Sequence, residues 1–130
     1  MTQPTVVNVR LNVDGSGDIT TYTAPVNGFL ASVHYNWIDM DTAADITVTE
    51  ESTGKALLTI TNAGVADLTW RPRIGPHPVA NTGAGTIIVG GTTTGGDGNM
   101  DLMLSVVGRI KVVVASGGVS KLADISFYIV

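Results

Sequence analysis

Hydrophobic and polar residues alternate with period two along most of this chain, and that period belongs to half-buried strands. Val7, Val9, Leu11 and Val13 alternate with Asn8, Arg10 and Asn12. A turn cluster at residues 14–18 follows, and residues 19–23 read as the strand returning from it. After a break at 24–28, Phe29, Ala31, Val33, Tyr35 and Trp37 share one face, with Ser32, His34 and Asn36 on the other. Residues 39–44 form an acidic loop, Ile46 and Val48 mark a short Thr-rich strand, and residues 50–54 turn the chain. Ala56, Leu58 and Ile60 then share a face, with Leu57 opposed. Ala66, Leu68 and Trp70 follow at the same period, and these two strands are expected to pair as a hairpin.

From Arg71 to Asn99 the rhythm breaks. The segment opens Arg71-Pro72-Arg73-Ile74-Gly75-Pro76-His77-Pro78 and continues as a Gly/Thr-rich stretch at 81–99 in which Ile87, Ile88 and Val89 spell at most a short strand. Alternation returns at Met100, Leu102, Leu104 and Val106. Residues 110–115 read as an apolar strand buried on both faces, and Ala123, Ile125, Phe127 and Ile129 complete a last strand that carries Val130 into a pairing. Eight or nine short strands at regular spacing predict an all-β fold, an antiparallel two-sheet β-sandwich of jelly-roll type, with a small β-barrel as the alternative. The expected core includes Val33, Tyr35, Leu58, Ile60, Val112, Val114, Ile125 and Phe127. One domain spans 1–130, with an N-terminal arm at 1–5 and a long loop region at 71–99.

Composition narrows the function. Gly (16) and Thr (17) make up a quarter of the 130 residues, and only 14% are charged, against about 25% in ordinary domains. Helix formers are scarce, so no helix above one turn is expected. The net charge of −4 disfavours nucleic acid as a partner, because phosphate neutralisation needs clustered Lys and Arg. Without cysteine, disulfides, Cys-ligated zinc and thiol chemistry are excluded. No signal peptide and no membrane-spanning apolar run are expected.

Candidate chemistry is sparse. Asp39, Asp41 and Asp45 have the look of a cation loop, but lack the Gly and terminal Glu of a calcium loop. A metal site would have to unite His34 with His77. Ser16 lies between glycines without the strand-turn-helix setting of a nucleophile elbow. Glu50 and Glu51 are adjacent in a turn, and Gly83 and Gly85 lack the Lys-Ser/Thr of a phosphate loop. Trp37, Trp70 and Tyr22 are candidates for a sugar platform, or else for core. No catalytic residue, cofactor or metal is expected. The segment 71–78 carries the main candidates for contact, Arg71, Arg73 and His77, because proline stiffens it and Arg favours interfaces. A plain inter-sheet crossover is the other reading of that segment.

Leu11-Asn12-Val13-Asp14-Gly15-Ser16-Gly17-Asp18, followed by Tyr22-Thr23 and Pro25, resembles the start of a family of small tailed-phage and prophage virion proteins. Further echoes are Ile46-Thr47-Val48-Thr49 with Thr53-Gly54, Arg71-Pro72-Arg73 and His77. Residues 108–118, from Gly108-Arg109-Ile110-Lys111 to Gly117-Gly118, match best. The resemblance spans most of the chain, and residues 81–99 depart from it. It implies a capsid decoration, or cement, protein. Such proteins are β-sandwiches that bind the outside of an icosahedral head, commonly as trimers, with the major capsid protein and their own copies as partners. The implied location is the virion exterior after synthesis in the host cytoplasm. Two other classes are a different virion part (tail, fibre or head-closure component) and a carbohydrate-binding β-sandwich.

Overall fold

The computed structural model describes residues 4–74 and 102–130. Ten strands lie among them: β1 Thr5–Asn12, β2 Ile19–Tyr22, β3 Val26–Trp37, β4 Asp45–Glu50, β5 Ala56–Ile60, β6 Leu68–Trp70, β7 Arg73–Ile74, β8 Leu102–Gly108, β9 Ile110–Ala115 and β10 Leu122–Ile129. There is no helix among the described residues, as the composition predicted.

Two antiparallel sheets face each other. The first runs β1-β10-β3-β8-β7, with β6 also on β3, and the second runs β2-β9-β4-β5. Removing the short β6 and β7 leaves two four-stranded sheets, β1-β10-β3-β8 and β2-β9-β4-β5. In each, strands distant in sequence lie side by side. That is the jelly-roll order, two Greek keys wrapped across a common core. The sheets stay open at their edges, so the barrel alternative does not hold.

The connections differ from the sequence reading at two places. Residues 14–18 do not close a hairpin: β1 pairs with β10 and β2 with β9, so this turn carries the chain from one sheet to the other. The same is true after β5, which pairs with β4 in the second sheet while β6 pairs with β3 in the first. Period two identifies a strand but is silent about its partner. Thr5, assigned to an arm, is the first residue of β1 and pairs with Ile129.

Two bulges decide which side chains face inward. Between Ser32 and Leu30 the β3–β10 register skips Ala31. The alternation therefore inverts: Val33 and Tyr35 point into the core, but so does Leu30, and Phe29 points out. On β5 the register against β4 skips Leu57, which is buried, while Leu58 is only partly covered. This corrects the core placement of Leu58, because an inserted residue re-aims its neighbours. Val33, Tyr35, Val112, Val114, Ile125 and Phe127 are fully buried and Ile60 nearly so, as expected. β9 is buried on one face only, with Lys111 and Val113 half-buried on the other. The last residue is paired as expected: Val130 and Phe29 exchange backbone hydrogen bonds of 2.9 Å.

Candidate functional site

The segment 71–78 is not a single free loop. Arg73 and Ile74 form β7 against Met103 and Leu102. One side of β3 is shared end to end, with β8 beside residues 26–30 and β6 beside residues 33–35. Arg73 reaches into the gap between them. Its Nη1 donates to the carbonyl of Ala31, the bulged residue, at 3.0 Å and to that of Pro72 at 2.7 Å. A bulge leaves a carbonyl without its ladder partner, and the guanidinium supplies the missing donor. Arg73 is therefore engaged in holding the sheet, whereas Arg71 is exposed. His77, the stretch 81–99 and Ile87 to Val89 lie outside the described residues.

The other sequence candidates separate in space. Asp39 accepts the Leu122 amide at 2.7 Å and Asp45 the Asn62 amide at 3.0 Å, so each caps a loop. Among the described residues no His, Asp and Glu side chains gather as a group that would hold a metal. Asp14 accepts the amides of Ser16 and Asp18 within its own turn. The Asp18 and then the Ser16 bond hold its carboxyl below the usual range. Trp37 donates its indole N–H to the Met40 carbonyl at 2.7 Å and packs on the core, as Trp70 does. Tyr22 lies in the other sheet with the Arg109 guanidinium 4.2 Å above its ring. The three aromatics form no common platform. His34 is hydrogen-bonded to Ser32 at 3.0 Å and Thr69 at 3.1 Å, with its ring 4.4 Å from that of Tyr128.

The arrangement that stands out is a contrast between two outer faces. The second sheet presents Thr20, Thr47 and Thr59 to solvent, with Lys111 and Val113 half-buried beside them. The first sheet presents Val6, Phe29, Met103, Val107, Tyr128 and Val130, all exposed. They are neighbours across strands. Val6 lies opposite Tyr128, Phe29 is hydrogen-bonded to Val130 and lies opposite Ser105, and Met103 and Val107 flank Ser105 on β8. Phe29 is 49% exposed and Val107 58%. An apolar group of this kind on a sheet face is the candidate surface for meeting another molecule.

Most of the acidic charge lies away from that patch, and the charges sharing its sheet face, Arg10 and Asp124, pair with each other. The loops at 13–18, 38–44, 61–67 and 116–121 meet at one end of the sandwich, held by backbone bonds such as Gly117 to Gly17 at 2.8 Å and Asp41 to Gly117 at 3.0 Å. They carry Asp14, Asp18, Asp39, Asp41 and Asp67. The apolar group lies toward the opposite end, at the starts of β1 and β3 and the end of β10.

The sequence pattern missed this face because it set Phe29 on the same side of the strand as Val33. Only the Ala31 bulge turns Phe29 outward. The bland signal available was the pair Phe29-Leu30, two large apolar residues in succession where alternation demands one. Reading also missed Glu50. It is buried, accepts the Thr53 hydroxyl, and accepts the Val107 amide of the facing sheet at 2.8 Å. No protein-family model matches this chain, and no curated protein sequence matches it significantly.

Proposed function

We propose that this protein is a structural component of a phage virion that binds the outside of the capsid as a decoration protein. The observation that carries the reading is the apolar patch on the outer face of the first sheet, away from the Arg10–Asp124 pair, set on a rigid jelly roll and opposed to a threonine face. Such a body binds by surface area and shape and does no chemistry of its own. The sequence resemblance points to the same class. The acidic end gives the bound particle a negatively charged, soluble exterior. The partners are the major capsid protein and further copies of the chain, and Arg71 is available at the rim for a carboxylate of the shell.

The test is assembly. Heads of the encoding phage, grown without this gene, are mixed with purified protein and imaged. Regular density in hundreds of copies over the shell supports decoration. A dozen or fewer copies at one vertex assigns it to another virion part, and no association with any particle removes the virion reading. Phe29→Ser with Val107→Thr is expected to lower occupancy at least about tenfold while the fold is kept.

A further inference from the structure

The edges of the two sheets are unequally protected. In the second sheet, β2 is 4 residues long and β5 carries the Leu57 bulge. At the other side of the first sheet the edge is made by β6 and β7, of 3 and 2 residues, and by residues 104–108 of β8, whose backbone groups at Ser105 and Val107 are taken by Lys55, Ser52 and Glu50 of the 50–55 turn. β1 is different. It is 8 residues long, pairs with β10 without a register break and contains no proline. Among the described residues no strand lies along its other side. Shortness, bulges, proline and free charges are the devices that keep sheet edges from pairing. β1 has none of them, for its single charge, Arg10, is paired with Asp124.

The direction of its free backbone groups can be derived. The Val13 amide donates to Lys121 at 3.1 Å, which continues the β1–β10 register as a hydrogen-bonded pair. In an antiparallel ladder such pairs recur at every second residue. Thr5, Val7, Val9 and Leu11 therefore bond toward β10, and Val6, Asn8, Arg10 and Asn12 direct N–H and C=O away from the sheet.

We propose that this edge is a self-recognition site, occupied by β1 of a second copy running antiparallel about a two-fold axis. Residues 6, 8, 10 and 12 must meet the same set, since a one-residue slip would turn the inner faces outward. Three registers satisfy this with useful overlap. With the axis at Asn8, Pro4 stands opposite the partner's Asn12 and offers no N–H. With the axis at Arg10, the two guanidinium groups oppose each other. With the axis at Val9, Asn8 meets the partner's Arg10, Val6 meets the partner's Asn12, and half-buried Val7 is covered by the partner's Leu11. That register avoids both conflicts. It joins the two first sheets into one continuous sheet and sets the two apolar outer faces side by side. A three-fold ring, which the family resemblance implies, needs two different edges to meet if it is built by edge pairing, and the other described edges are short, bulged or, at β8, capped by the 50–55 turn. The inference stands on the edge geometry and does not depend on a virion role.

Sedimentation velocity of the purified chain across the micromolar range tests it. A two-chain species is expected, with the amides of Val6, Asn8, Arg10 and Asn12 exchanging more slowly as concentration rises. Asn8→Pro removes one edge-facing N–H and no backbone bond to β10, and it also withdraws the Asn8 Oδ1 that accepts the Ser126 hydroxyl, so Asn8→Ser serves as the control for that lost bond. Asn8→Lys sets a second cation opposite Arg10 with no change to the backbone. Each is expected to weaken dimerisation at least about tenfold. If Asn8→Pro unfolds, Asn8→Lys decides. A monomer at all concentrations, a three-chain species, or a two-chain species indifferent to Asn8→Lys overturns the proposal.

Discussion

Glu50 on β4 accepts the backbone amide of Val107 on β8 at 2.8 Å, so one buried carboxylate ties the two sheets together. The Thr53 hydroxyl and then the Val107 amide hold its pKa below the ordinary carboxylate range, with nearby Lys55 adding to them. A carboxylate whose folded pKa is depressed contributes stability above its unfolded pKa and loses it as pH falls through the folded value. Thermal stability is expected to be level at neutral pH and to fall below about pH 4, where free carboxyls titrate. Glu50→Ala leaves the Val107 amide without its acceptor and is expected to cost roughly 1–3 kcal/mol at pH 7 by chemical denaturation. The mutant's stability should also depend less on acid than that of the wild type.

The bulge on β5 separates two adjacent leucines. Leu57→Ala empties a buried site and is expected to cost about 2–4 kcal/mol, whereas Leu58→Ala should cost about half as much. Urea midpoints of the two variants measure the difference. Equal losses would mean that the register of β5 is regular.

Arg71 and Arg73 make a second internal comparison. Arg73→Ala withdraws the donor from the Ala31 carbonyl and is expected to cost about 1–2 kcal/mol. Arg71→Ala, at an exposed position, should change stability by less than about 0.5 kcal/mol. If Arg71→Ala lowers capsid occupancy while Arg73→Ala lowers only the melting temperature, the two arginines have divided the roles of contact and support.

Gly117 packs so closely that an added Cβ would lie 2.7 Å from the Met40 sulfur and 3.0 Å from Val13. Both neighbours are buried, which leaves no direction in which to yield. Gly117→Ala is expected to destabilise by roughly 1–3 kcal/mol, read as a lowered midpoint in thermal melts. Gly15→Ala, with open space around it, should be nearly neutral.

The strands were legible because burial on one face imposes period two, and residues such as Val112, Val114, Ile125 and Phe127 carry that period without interruption. Which strands pair was not legible. The turn at 14–18 has the composition of a hairpin and acts as a bridge between sheets, and the residues that make it so are Gly117 and Ser120, distant in sequence. Bulges were hidden for the same reason. Ala31 and Leu57 look like ordinary strand residues, and only the neighbouring strand shows that they are extra. The contact face inherited this gap, since its central residue, Phe29, changes side at the bulge. Glu50 was set aside as a turn residue because its partner amide is on another sheet.

The two ends of the sandwich are fastened by different chemistry. The end with Gly17 and Gly117 is closed by backbone bonds and by Asp39, Asp45 and Asp67, each accepting a backbone amide. At the other end, Glu50 holds Val107, the Lys55 ammonium donates to the Ser105 carbonyl at 2.8 Å, and Glu51 pairs with Arg109. Ionic fastenings respond to acid and salt, whereas backbone bonds respond far less. The buried Glu50 is the carboxylate that bridges the two sheets, so acid that protonates it loosens the 50–55 turn from β8.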